Sequence, residues 1–171
     1  MATRVPGGWH CRRHRSGIDG IGRALLGPTI MAASSDLDRF VQAQELVLAE
    51  VRSELRAGRK RTHWMWFIFP QLAGLGRSAT ARYYALASLE GARSYLAHPV
   101  LGPRLIDCTA LANAVENRSA HQIFGYPDDL KFHSSMTLFA LARPGEPVFS
   151  EALRKYFAGA RDPSTTEKLG L

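Results

Sequence analysis

Ten residues near the middle of the chain, Thr62-His63-Trp64-Met65-Trp66-Phe67-Ile68-Phe69-Pro70-Gln71, constrain its fold more than any other stretch. Two of the three tryptophans stand here beside two phenylalanines. Aromatic side chains bury more area than other types, so this run is expected to seed the core. The run is apolar throughout, and periodicity alone does not separate a buried strand from a short buried helix. Few segments elsewhere alternate polar and apolar residues, and a lone strand cannot satisfy its own backbone. The run is therefore predicted to be helical, with Thr62 as its cap and Pro70 as its end.

The flanking sequence reads as a series of helices. From Ser34 or Ser35, a plausible N-cap with Asp36 and Asp38 in the first turn, Leu37, Phe40, Val41, Val47, Leu48, Val51 and Leu55 recur at helical spacing. Gln44 interrupts that stripe, and Gly58 is placed to close the helix in a left-handed C′ position. Arg39, Glu45, Glu50, Arg52 and Glu54 form the opposite face, expected to be solvated. Further helices are predicted to open at Ser78, Ser88, Leu101, Ser119 and Asp128 or Asp129. Another spans Val148 to Phe157, and Asp162-Pro163 caps a last short turn. The fold class is all-α: one orthogonal helical domain of about seven helices over residues 35–171, with no internal repeat and no transmembrane span.

Residues 1–34 lack sustained periodicity and are rich in Gly, Arg and Ser. They read as a disordered basic extension, with a misassigned start codon as one source. No apolar core of a secretory signal is present, and a cytoplasmic location is expected. Five arginines against Asp19 in residues 1–30 carry four of the chain's seven net positive charges, leaving +3 for the remainder. So small a surplus is no footprint for nucleic acid. Cys11 and Cys108 are too few for a disulfide framework, and Cys108 reads as a small buried hydrophobe. His63, His98, His121 and His133 lack metal-ligand spacing. His10 and His14 have it, but lie in the extension, so no metal and no cofactor is expected.

The aromatic run, Gly74-Leu75-Gly76-Arg77-Ser78, Tyr95-Leu96-Ala97-His98-Pro99-Val100-Leu101-Gly102 and Ile123-Phe124-Gly125 belong to a larger pattern. Pro127-Asp128-Asp129-Leu130-Lys131 and Ser134-Ser135-Met136-Thr137-Leu138-Phe139 complete it. Together they resemble the mainly helical bacterial family catalogued as domain of unknown function eighteen-ten, over about Asp36 to Leu169. The resemblance implies a compact α fold and does not imply any particular activity. At Phe132-His133 it leads one to expect an aliphatic and then a basic residue. Family members often carry the label calpastatin, but a calpain inhibitor of that name is a polar, disordered repeat protein. The continuous apolar pattern here argues against the label.

Two groups of residues have the makings of a site. In Gly74-Leu75-Gly76-Arg77-Ser78, two glycines can turn backbone N–H groups into one concavity just before a helix start. Arg77 adds a fork that matches phosphate or carboxylate, and Ser78 either caps the helix or bonds the ligand. No P-loop and no full Gly-x-Gly-x-x-Gly spacing is present. In the second group, Asp128, Lys131 and Ser135 share a helix face, with Ser134 and Thr137 alongside. Taken structurally, Asp128 caps, Lys131 answers it and the hydroxyls bond back to the helix.

The reading that joins these groups is a pocket for an anionic small molecule, a nucleotide or phosphorylated metabolite. Gly74, Gly76, Arg77, Ser78, Lys131, Ser134 and Ser135 would hold the anion. Trp66 and Phe69 would form an apolar wall, Gln71 would either hold the loop or read a ligand edge, and His63 or Asp128 would move a proton in any catalysis. The alternative is a non-catalytic protein–protein interaction module whose motifs only build the fold. No membrane partner is expected, and oligomeric state is not encoded legibly. The two readings part at Arg77, Lys131 and His63: one needs them facing a common cavity, the other needs them paired internally.

Overall fold

A computed structural model describes the backbone from Pro28 to Leu171 and the side chains from Asp36 onward. Residues 1–27, with most of the expected extension and with His10, Cys11 and His14, lie outside the described residues. Among the described residues there are ten helices, seven of them seven residues or longer, and no strand. In order they are α1 (Pro28–Glu45), α2 (Leu48–Arg56), α3 (Met65–Ile68), α4 (Ala79–Tyr83) and α5 (Leu89–Ala97). Then follow α6 (Leu101–Asn113), α7 (Ala120–Phe124), α8 (Asp128–Ala142), α9 (Pro147–Phe157) and α10 (Pro163–Leu169). No described helix is long and apolar enough to cross a membrane.

The long amphipathic stretch forms two helices instead of the single one expected, and α1 starts upstream of Ser34 and Ser35. The chain turns at Leu46-Val47, just after Gln44. That residue is buried in the apolar stripe, where its Nε2 donates to the Phe67 carbonyl at 2.7 Å and to the Tyr95 hydroxyl at 2.9 Å. At the end of α2, Gly58 has φ +63°. Its N–H bonds Leu55 O, and the Arg59 N–H bonds Glu54 O, the paired arrangement of a Schellman cap.

The aromatic run is helical, as expected, but only for the single turn of α3. Thr62 does not cap it. Its hydroxyl donates at 2.9 Å to Glu54, which was expected on the solvated face and is instead buried. The Glu54 carboxylate also accepts from Arg61 N, Thr62 N and, at 2.8 Å, the Trp64 indole. Beyond Pro70 an isolated parallel bridge between Leu72 and Leu86 ties down the glycine turn, so α4 stops before the expected Ala85-Leu86.

Helix α8 lies at the centre, packed against α3, α5, α7, α9 and α10. Its Phe132 is fully buried and stacks on Phe124 at 4.5 Å, with Phe69 edge-on at 5.0 Å. His133 stacks flat on Phe157 at 3.9 Å, with Nε2 2.8 Å from the Ala160 carbonyl oxygen, so it is a packing residue. Cys108 is buried as expected, and burial pushes its thiol up to about 12.

Candidate functional site

The Gly74–Ser78 turn and α10 face each other across a groove with two compartments, which share Leu75 and Ser164. The first, about 290 Å³, is lined by Gln71, Leu75, Gly76, Pro127, Leu130, Lys131, Ser134, Asp162 and Ser164. The second, about 500 Å³, is lined by Gly74, Leu75, Arg77, Ser164, Glu167 and Lys168. Six of the residues singled out in the sequence therefore line these two adjoining compartments: Gln71, Gly74, Gly76, Arg77, Lys131 and Ser134.

Each wall has a local cause. Gly74 takes φ +86°, a region that strains other residues, and a Cβ there would lie 2.7 Å from the Lys168 Nζ. The turn thus lets the Lys168 ammonium settle over its backbone. Gly76 does not have positive φ; a Cβ on it would collide with Ala81. Across the groove Asp162 caps α10, its Oδ2 accepting from Thr165 N at 2.9 Å and Thr165 Oγ1 at 2.6 Å. Ser134 Oγ donates to the same oxygen at 3.0 Å, and Thr137 Oγ1 accepts from Asp162 N at 2.9 Å. Two hydroxyls of α8 therefore fix the start of α10.

The charges are unevenly matched. Among the described residues neither Arg77 nor Lys168 pairs with a carboxylate. Lys131 is engaged, 2.7 Å from Asp128 Oδ1 and 4.6 Å over the Trp66 ring. Asp128 is shared, because Lys60 lies 2.7 Å from its other oxygen. One carboxylate against two ammoniums leaves a surplus positive charge beside the first compartment. Burial alone would raise the Asp128 pKa, but hydrogen bonds from Lys131 and Lys60 outweigh it and hold the carboxyl below its ordinary value.

Several expectations need correcting. Arg77 and Lys131 line adjoining compartments, not one hollow, and Lys131 already has a carboxylate partner. Phe69 is fully buried and Trp66 lies under Lys131, so neither forms a wall; Leu75, Leu130 and Pro127 supply the apolar surface. Ser78 is occupied as the α4 cap, accepting from Ala81 N at 3.0 Å, and that helix has only five residues. Ser135 does not join Lys131; it is fully buried and its Oγ has no partner. His63 is exposed and lines neither compartment. Asp128 sits in the first turn of α8 without capping it. Sequence reasoning passed over Lys168 and took Asp162 only for a cap. Its nearest clue was the Asp162-Pro163 helix start, which fixes where α10 begins but not what it faces.

No curated protein matches the chain. A crystal structure described as the conserved hypothetical protein Rv1873 from Mycobacterium tuberculosis is 55% identical, with a TM-score of 0.78. That similarity covers 80% of this chain and 97% of the other. The family described as "Protein of unknown function (DUF1810)" matches residues 34–169, and the chain belongs to it.

Proposed function

We propose that this protein binds an anionic, phosphate-bearing small molecule in the groove between the Gly74–Ser78 turn and α10. The observation that carries the reading is the meeting of two cations without carboxylate partners, Arg77 and Lys168, at one end of the groove. An arginine fork beside a lysine point charge suits a phosphate, which accepts charge-assisted hydrogen bonds from both. The surplus charge of the Lys60–Asp128–Lys131 cluster lies next to the first compartment, where the Asp162 carboxylate offsets it, so the anion's place is the second compartment. Binding is as far as this reading goes, since His63 and Asp128 stand outside the groove lining.

The test is thermal-shift screening of the full chain against phosphate, nucleotides and sugar phosphates at low ionic strength, followed by titration of the hits. A ligand that binds only the folded state raises the melting temperature. Arg77→Ala is expected to leave the unliganded melting point unchanged and to weaken binding at least about tenfold, the loss of one charge-assisted pair. A flat wild-type response to every anion contradicts the proposal. The interaction-module reading draws on exposed Tyr126 and Leu130 beside Pro127. It would gain if anions fail and an apolar-to-charged change at Leu130 blocks self-association or capture of a partner.

A further inference from the structure

Resting on that reading of the groove, we infer that its ligand is the phosphate monoester of a non-aromatic polyol, a sugar phosphate, and not a nucleotide. The two compartments differ in chemistry. In the second, Arg77 and Lys168 face only one carboxylate, Glu167, and the surplus suits a dianionic phosphate. The first holds an acceptor. Asp162 lines it, and all three hydrogen bonds to its carboxylate go to Oδ2. Oδ1 has no partner among the described residues, and no cation pairs with Asp162 there. A carboxylate fixed in this way repels a second anionic group and accepts hydrogen bonds from neutral hydroxyls. Gln71 lines the same compartment from the side of the turn, its side-chain amide unengaged among the described residues and offering both a donor and an acceptor. Vicinal hydroxyls each donate and accept, so a compartment that offers a free carboxylate oxygen and a mixed amide fits a sugar ring.

A nucleobase would lack its usual seat. Proteins hold bases by stacking them on aromatic or guanidinium planes. No aromatic side chain lines either compartment, the one guanidinium there, Arg77, is assigned to the phosphate, and the apolar surface is aliphatic. The rings of the nearby aromatic run are already spent, Phe69 in the core and Trp66 under Lys131. At about 290 Å³ the first compartment is near the lower end of small-molecule pockets, a size for one sugar ring.

The experiment is isothermal titration of the full chain with inorganic phosphate, glucose, glucose 6-phosphate and AMP at low salt. Glucose 6-phosphate is expected to bind at least about tenfold tighter than phosphate or AMP, as two added hydrogen bonds would give. Glucose alone should show no measurable binding. Gln71→Ala should bring glucose 6-phosphate to within about threefold of phosphate and leave phosphate unchanged, while Arg77→Ala should weaken every phosphate-bearing probe. The ligand class is overturned, with the anion site intact, if AMP binds as tightly as the sugar phosphate. It is equally overturned if phosphate binds as tightly, or if Gln71→Ala changes nothing. Failure of all three phosphate-bearing probes to bind removes the anion reading itself.

Discussion

Glu54 shows how one buried carboxylate organises the entry to the aromatic run. Burial alone would raise its pKa, but hydrogen bonds from the Arg61 N–H, the Trp64 indole and Thr62 more than compensate and hold it below its ordinary value of 4.5. A carboxyl held low contributes stability that is complete above its unfolded pKa and is lost as pH falls through the folded value. Glu54→Gln should cost about 1–3 kcal/mol in urea denaturation at neutral pH. It should also flatten the loss of stability as the pH falls below the ordinary value of 4.5. An unchanged midpoint and an unchanged acid limb would contradict this role. The shared carboxylate of Asp128 makes a parallel case. Asp128→Asn strands two partly buried ammoniums and should cost about 2 kcal/mol, between the values for exposed and buried pairs. Lys60→Met leaves Asp128 with one partner and should cost less. The reverse order would mean that the cluster is not held by the aspartate.

At the scale of elements, local chemistry was legible and tertiary competition was not. Ser78, Ser88, Ser119 and Asp162 all cap the helices expected of them, because an N-cap hydrogen bond needs only residues three apart. Ser119 goes further, forming a reciprocal capping box with Gln122. Thr62 and Asp128 have equally suitable side chains, yet Glu54 and the two lysines claim them first. Lys131, three residues on, could be read beside Asp128, but nothing in the local sequence announces Glu54 or Lys60. The turn at Leu46-Val47 was hidden for the same reason, since the groups that satisfy Gln44 come from α3 and α5. Substitutions can separate the two kinds of constraint. Ser119→Ala should cost about 1 kcal/mol, the loss of a cap. Gly102→Ala should cost about 1–3 kcal/mol, because its Cβ would strike the Leu96 carbonyl oxygen, which belongs to the α5 backbone and cannot rotate away. Equal and small effects of both changes on the denaturation midpoint would mean that α5 and α6 can shift apart.

For the whole molecule, the all-α class followed from the scarcity of alternating segments, and the continuous buried core is what a disordered inhibitor repeat lacks. The site was half legible. Gln71, Gly74, Gly76 and Arg77 could be read because turn glycines beside an arginine form a compact signal. Lys131 and Ser134 were read on a helix face with Asp128, but Lys60 and Asp162 beside them could not be. Which lysine joins Arg77 depends on α10 folding back over the turn, a matter of tertiary packing, and the sequence therefore pointed to Lys131 in place of Lys168. Nuclear magnetic resonance of the isotopically labelled protein titrated with a sugar phosphate tests the central claim most directly. The account predicts saturable shifts of the backbone amides of Gly74 to Ser78 and Ser164 to Lys168, abolished by Arg77→Ala, with α2 and α6 undisturbed. Absence of shifts, or shifts centred on another face such as the basic Arg59–Arg118 cleft, would contradict it.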